Sequence, residues 1–193
     1  MLFLVWGANG WIGRMVCDLL RSQNHTVVVA TSRIQNYSDI VTEINTVNPD
    51  RVLHLAGIVG KGNVDWCEDH KQDTYLINAT GTLNLVDVCW RKGIHVTYYG
   101  TGCIYTYDDH HPIGYSFIED EPPNFRGSTY SKSKIIAEEL LSPYNNVLIL
   151  RIRMPISRDL HPKNIITKLT TYSHVIDIPN SFTILPELLP ISI

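Results

Sequence analysis

Tyr130 and Lys134 stand four residues apart in Ser128-Thr129-Tyr130-Ser131-Lys132-Ser133-Lys134, a spacing that sets a phenol and an ammonium on one face of a helix. A lysine charge favours the neighbouring phenolate, so the pair is suited to moving a proton in a dry site. A second pair, Thr101 and Cys103, lies in Thr101-Gly102-Cys103-Ile104-Tyr105 after an apolar run that reads as a strand. If the extended trace persists for two residues, hydroxyl and thiol point the same way, with Gly102 leaving the backbone bare between them. Taken alone, Thr101 also fits a strand-end hydrogen bond, and Cys103 fits a small buried hydrophobe, the commoner fate of cysteine.

The third feature is Gly7-Ala8-Asn9-Gly10-Trp11-Ile12-Gly13, directly after the apolar opening Met1 to Trp6. Gly7 allows a tight turn off a strand, Gly10 lets the backbone approach a pyrophosphate, and Gly13 permits close packing of helix on sheet. The amides of Asn9, Gly10, Trp11 and Ile12 then open a helix whose start faces phosphates. Glycine turn and Tyr/Lys pair together point to a nucleotide-dependent oxidoreductase. The expected second strand ends Ala30-Thr31-Ser32-Arg33, without the acid that usually meets a free ribose 2'-hydroxyl. Ser32 and Arg33 suit a 2'-phosphate, which favours NADPH over NADH, although Arg33 also fits a solvated loop charge. Ala56 and Gly57 close the third strand where the backbone passes near the cofactor; a plain turn competes with that reading.

These residues need a scaffold, and the order of patterns supplies one. Strands are expected at Leu2 to Trp6, Thr26 to Ala30, Arg51 to Leu55, His95 to Tyr99 and Asn146 to Ile152. Helices are expected at Trp11 to Arg21, Ser38 to Val47, a long run His70 to Arg91, and Tyr130 to Leu141. Alternation of this kind predicts an α/β fold, a Rossmann-like doubly wound parallel sheet. Past Arg153 the pattern changes. A helix at Lys163 to Tyr172 opened by Pro162, a short apolar run Val175 to Ile178 and a proline-broken helix from Ile184 read as the beginning of a small C-terminal substrate lobe. Residues 1–153 are thus expected to form the dinucleotide-binding domain and 154–193 a partial lobe that reads as truncated.

The chain has 193 residues and a net charge of −3, which gives no reason to propose a nucleic-acid partner. Its opening lacks the basic flank and apolar length of a secretory leader, and no segment reads as membrane-spanning. Cys17, Cys67, Cys89 and Cys103 lack the spacing of a disulfide framework, so a reducing cytoplasm is expected. Asp108-Asp109-His110-His111 reads as a solvated turn rather than a metal site, and no metal is expected. The oligomeric state is open, a homodimer included.

The glycine pattern, Thr101 and the Tyr130/Lys134 pair resemble the extended short-chain dehydrogenase/reductases along the full length. More narrowly, five strings are similar to the 3,5-epimerase/4-reductases of nucleotide-rhamnose synthesis, as in the C-terminal half of plant rhamnose synthases. They are Gly62-Asn63-Val64-Asp65-Trp66-Cys67-Glu68, Thr101 to Ile104, Tyr130-Ser131-Lys132, Arg151 to Ser157, and Asp177 to Ser181. The resemblance implies a nucleotide-linked 4-keto-6-deoxyglucose as substrate, with UDP the usual carrier. It assigns the epimerising groups to Cys103 and Lys168, although Lys168 also fits a solvated helix lysine. Tyr130 would protonate the alkoxide at C4, Thr101 would hydrogen-bond it, and Lys134 would hold the ribose and lower the tyrosine pKa. Asn78 is placed near the cofactor, although it also fits an exposed helix position; Asn63 and Arg153 are placed toward the substrate, although Arg153 also fits the end of a strand. Gly102-Cys103 stands where the related dehydratases carry an Asp-Glu pair, which disfavours water elimination. A pure 4-keto reductase and a non-catalytic dinucleotide-binding subunit are the competing expectations. Because such relatives continue past Ile193, an intact cofactor site with impaired sugar turnover is expected.

Overall fold

A computed structural model describes residues 1–60 and 63–193; Lys61 and Gly62, the latter the first residue of the Gly62–Glu68 string, lie outside the described residues. β1 (Leu2–Trp6) is apolar at every position, as a parallel strand covered on both faces must be. It pairs with β2 (Thr26–Val29) on one side and β3 (Arg51–His54) on the other. β4 (His95–Thr101) and β5 (Val147–Ile152) extend the sheet, giving the all-parallel order β2-β1-β3-β4-β5. The order reverses between β1 and β3, which opens a crevice at their carboxyl ends.

The connections are α1 (Trp11–Ser22), α2 (Tyr37–Val47), α3 (Trp66–Asp69), α4 (Lys71–Tyr75), a π-helical stretch Leu76–Gly81, α5 (Thr82–Arg91) and α6 (Thr129–Leu141). Side chains alternate across each strand and feed two cores. Leu4, Val52, Val96 and Tyr98 meet Ile40, Ile44, Leu85 and Leu141 under α2, α5 and α6. Phe3, Val5, Leu53 and Tyr99 meet Val16 and Leu20 of α1 on the other face.

The long helix expected over His70 to Arg91 is interrupted. His70 leaves helical geometry at φ −127°, ψ 46°, which separates α3 from α4. The wide π turn then carries Asn78 fully inside. Beyond β5, β6 (Pro155–Ile156) pairs with β7 (Thr183–Ile184), with α7 (Ile165–Leu169) between them. The helix expected from Lys163 to Tyr172 is thus five residues long and is opened by Asn164, whose side chain accepts from the Ile166 amide. Thr170 and Thr171 end it by turning their hydroxyls onto the carbonyls of Thr167 and Lys168. Val175 to Ile178 is irregular and exposed. α8 (Leu185–Ile191) returns to the sheet, where Leu185 and Leu189 pack with α1 and the Tyr99 hydroxyl meets Ser192 Oγ at 2.7 Å. Among the described residues no helix is long and apolar enough to cross a membrane.

Candidate active site

The crevice is built first from glycine. Gly7 sits at φ +82°, and a Cβ there would lie 2.5 Å from the backbone of Leu55 and Ala56, so the turn off β1 and the end of β3 can approach only without a side chain. At Gly13 a Cβ would fall 2.2 Å from the Gly7 carbonyl oxygen, so α1 can seat on the turn only there. α1 starts after Gly10 with no side-chain cap and no acidic residue in its first turn, leaving its leading amides free of side-chain acceptors. Asn9 and Gly10 are exposed at this start, and Ile12 packs into the core behind it. That cradle fits a dinucleotide pyrophosphate. Trp11 is buried by residues from beyond β5: its Nε1 donates to Asp159 at 3.0 Å and its ring stacks on His161 at 4.8 Å. A cleft of about 450 Å³ opens between this turn and the strap carrying Asp159, His161 and Lys163.

At the end of β2 the structure supplies an acid that the local sequence lacks. Glu43, brought over by α2, accepts from the Thr31 amide at 2.7 Å, the Thr31 hydroxyl at 2.9 Å and the Ser32 amide at 3.0 Å. Burial pushes its carboxyl up, but the Ser32 hydroxyl beside it and the two amides outweigh that, and the group is held below its ordinary value. From the other side Trp6 Nε1 donates to the Ser32 carbonyl. Arg33 is exposed, and its guanidinium has no hydrogen-bond or ion-pair partner among the described residues.

The chemical groups gather where β4 ends and α6 begins. The expected extended trace from Thr101 to Cys103 does not persist, because the chain turns after Thr101 and the Thr101 hydroxyl accepts from the Cys103 amide at 3.1 Å. The two side chains are joined by that turn rather than by a shared strand face. Ser131 Oγ donates to the Cys103 carbonyl at 2.6 Å, which ties the turn to the first turn of α6. Two devices fix that helix start. Ser128 Oγ accepts from the Ser131 amide, and Glu68 of α3 accepts from both the amide and the hydroxyl of Thr129 at 2.6 and 2.7 Å.

Tyr130 and Lys134, at 7% and 4% exposure, are therefore presented from a clamped helix. Burial raises the Tyr130 pKa above the ordinary tyrosine value, with the Lys134 charge and the Thr101 hydroxyl pulling down by less. Lys134 thus pulls the phenol down as expected, but a phenol this deep loses more hydration than one ammonium returns, and the net direction is up. Burial likewise lowers Lys134, against the pull of Tyr130 and Glu138. Its Nζ donates to the Tyr98 hydroxyl at 3.0 Å. One turn on, Glu138 is paired with Arg151 of β5 at 2.9 Å, the carboxylate side chain 7% exposed.

Asn78 links this cluster to the end of β3. Its Oδ1 accepts from the Ile58 amide, while its Nδ2 donates to the Ile58 carbonyl and to Ser133 Oγ, at 2.8, 2.9 and 3.0 Å. Gly57 lies inside that bracket: a Cβ there would stand 3.2 Å from Asn78 Oδ1 and 3.3 Å from Lys134 Nζ. Arg153 reaches the cluster from the other wall. Its Nη1 donates to Cys103 Sγ at 2.7 Å and its Nε donates to Asn180 Oδ1 at 3.0 Å. Lys168 stands half-buried on α7 with no side-chain partner among the described residues. Asn63 is exposed and closes a local turn on Asp65, apart from these contacts. Asp108 likewise accepts from His110 and His111 within its own turn.

Glu43, Glu68, Tyr98, Glu138 and Arg151 were not expected in these positions. Glu68 and Arg151 lie inside strings singled out in the sequence, and Glu138 follows Lys134 by one helical turn on the same face. Those were the available signals.

Known proteins place this arrangement. A bifunctional dTDP-4-dehydrorhamnose 3,5-epimerase/dTDP-4-dehydrorhamnose reductase of Arabidopsis thaliana is 50% identical over 99% of this chain and 64% of its own length. An Arabidopsis trifunctional UDP-glucose 4,6-dehydratase/UDP-4-keto-6-deoxy-D-glucose 3,5-epimerase/UDP-4-keto-L-rhamnose-reductase is 47% identical over 99% of this chain and 29% of its length. The chain thus spans less than two thirds of either relative. The crystal structure of the UDP-rhamnose synthase of Acanthamoeba polyphaga mimivirus superposes with a TM-score of 0.91 at 37% identity, covering 100% of this chain and 69% of that one. The model of the NAD dependent epimerase/dehydratase family matches residues 3–171. With that match, and with an NAD(P)-binding crevice built on Gly7, Gly13 and the clamped Tyr130–Lys134 helix, the chain belongs to the NAD dependent epimerase/dehydratase family.

Proposed function

We propose that this chain carries the 3,5-epimerase and 4-reductase chemistry of nucleotide-rhamnose formation, acting on a UDP-linked 4-keto-6-deoxyglucose with NADPH. The observation that supports it best is the meeting of a thiol, a hydroxyl, a phenol and an ammonium at one strand end, with Arg153 on the thiol. A ketone at C4 acidifies the hydrogens on C3 and C5. A base removes one of these protons, the C–H pair moves into the ring, and the carbonyl pair moves onto oxygen as an enolate. Reprotonation from the opposite face by a second group inverts the centre. Cys103 and Lys168 are the pair assigned to those transfers, and Arg153 holds the sulfur in place beneath the ring.

NADPH supplies the hydride that reduces C4. Tyr130, kept protonated by burial, donates to the alkoxide oxygen that develops there, and Thr101 Oγ1 hydrogen-bonds the same oxygen. Lys134, tethered to Tyr98, would hold the nicotinamide ribose, and Asn78 fixes the Ile58 backbone beside it. Ser32 and Arg33 would meet the 2'-phosphate of the adenosine, and Gly7, Asn9, Gly10, Trp11, Ile12 and Gly13 would carry the pyrophosphate. Asn63 approaches the sugar nucleotide. Four free cysteines suit a reducing cytoplasm.

The test is product analysis after incubation with NADPH and the UDP- or dTDP-linked 4-keto sugar. The expected product has the L-rhamno configuration. A D-configured 6-deoxy sugar as sole product, or undiminished turnover of unepimerised substrate by Cys103→Ala, would replace this reading with that of a plain 4-keto reductase.

A further inference from the structure

The end of β2 is where an adenosine ribose is read in folds of this kind, and the rule is local: an acid there takes the 2'-hydroxyl, or an arginine takes a 2'-phosphate. This chain has both groups at that place, Arg33 from the strand end and Glu43 from α2. Geometry separates their roles. Both Glu43 oxygens are already committed, Oε1 to the amide and hydroxyl of Thr31 and Oε2 to the Ser32 amide. A carboxylate that binds two successive backbone amides fixes the turn those amides belong to, and charge-assisted bonds of this sort are the stronger class. The Trp6 indole fixes the Ser32 carbonyl from the opposite side. The Thr31–Ser32 peptide is thus clamped at its donors and at the next acceptor, with the Ser32 hydroxyl buried beside the Glu43 carboxylate and Arg33 unpaired among the described residues.

We propose that Glu43 is the positioning residue for cofactor choice: it holds the turn after β2 so that Ser32 and Arg33 face a ribose 2'-phosphate, and its own oxygens are spent on the backbone. This rests on the NADPH reading above. A free carboxylate at this spot would repel the phosphate and accept from a ribose hydroxyl. Here the oxygens are turned onto the backbone of Thr31 and Ser32 and the Thr31 hydroxyl, so what the carboxylate does at this spot is hold the turn.

The experiment is titration of the full chain with NADPH and with NADH, followed by quenching of intrinsic fluorescence, for the wild type, Glu43→Ala, Glu43→Gln and Arg33→Ala. Thermal melting checks folding. The expected result is tighter NADPH than NADH binding in the wild type, with roughly a tenfold loss of NADPH affinity in Glu43→Ala and no change for NADH. Glu43→Gln, which retains an acceptor for one amide, should lose less. Arg33→Ala should lose NADPH affinity alone. An unchanged ratio of affinities in Glu43→Ala, or NADPH binding that tightens in Glu43→Ala and Glu43→Gln, overturns the proposal while leaving the NADPH reading in place. A wild type that prefers NADH, with that preference lost in Glu43→Gln, would make Glu43 the ribose ligand itself and overturn both.

Discussion

The floor of the crevice and its outer wall are held by different means. On the floor, Tyr130 and Lys134 ride on a helix whose start is bonded by Glu68 from a distant element, whose face is bonded by Asn78, and whose lysine is tethered to a core tyrosine. In the wall, β6 and β7 share only two paired positions each, α7 has five residues, and Val175 and Ile176 are 61% and 66% exposed. Side-chain contacts that reach back from this part of the chain to the floor include Arg153 to Cys103, Asp159 and His161 to Trp11, Tyr107 to Pro179, and Tyr99 to Ser192. The lesson is that the Tyr130–Lys134 pair is preorganised by the sheet, whereas the Arg153 side of the crevice depends on a few tethers, the pattern expected of the less stable part of a fold.

The contrast can be broken most severely on the floor. Tyr130→Phe removes the acid and nothing from the core, so 4-keto reduction should fall about 10²–10⁴-fold with NADPH affinity unchanged, as steady-state oxidation of NADPH and direct titration would show. The sign of the pH dependence follows from burial. Because the phenol stays protonated to a higher pH than a free tyrosine, reduction should persist through the ordinary tyrosine range and fall only above it. Next comes Arg151→Leu, which leaves Glu138 buried without its partner and should cost about 3–5 kcal/mol in urea unfolding. Arg153→Gln, its counterpart in the wall, should cost about 1 kcal/mol.

His54 sharpens the same contrast through pH. It is fully buried beneath Lys134, with its pKa lowered by burial to about 3 from 6.5. Between those values the unfolded chain binds a proton that the folded chain refuses. Stability is therefore intact above pH 6.5 and declines as pH falls toward 3, by up to roughly 1.4 kcal/mol per pH unit. His54→Gln should flatten that decline, which a urea titration across the window would detect. The smallest effect belongs to a tether: Asp159→Ala frees the Trp11 indole and should cost about 1 kcal/mol.

Much of the floor was legible because its signals are local. Gly7 and Gly13 announce a turn by spacing, Tyr130 and Lys134 announce a helix face, and β1 announces a covered strand by unbroken apolarity. What escaped depends on contacts across long stretches of chain. Glu68 caps a helix 61 residues away, Glu43 supplies the acid absent from the Ala30–Arg33 segment, and Arg153 meets a sulfur 50 residues back. The net direction for Tyr130 was out of reach for a related reason. Spacing reveals the lysine beside it, but only packing reveals how much water the phenol has lost.

The central claim is that one pocket performs two separable chemistries, with proton exchange belonging to Cys103 and hydride acceptance to Tyr130. The direct measurement is deuterium incorporation at C3 and C5 of the UDP-linked 4-keto-6-deoxy sugar in D₂O without NADPH, read by mass spectrometry and NMR. Wild type and Tyr130→Phe should incorporate deuterium at both carbons, and Cys103→Ala should not. Incorporation by Cys103→Ala at the wild-type rate would contradict the account.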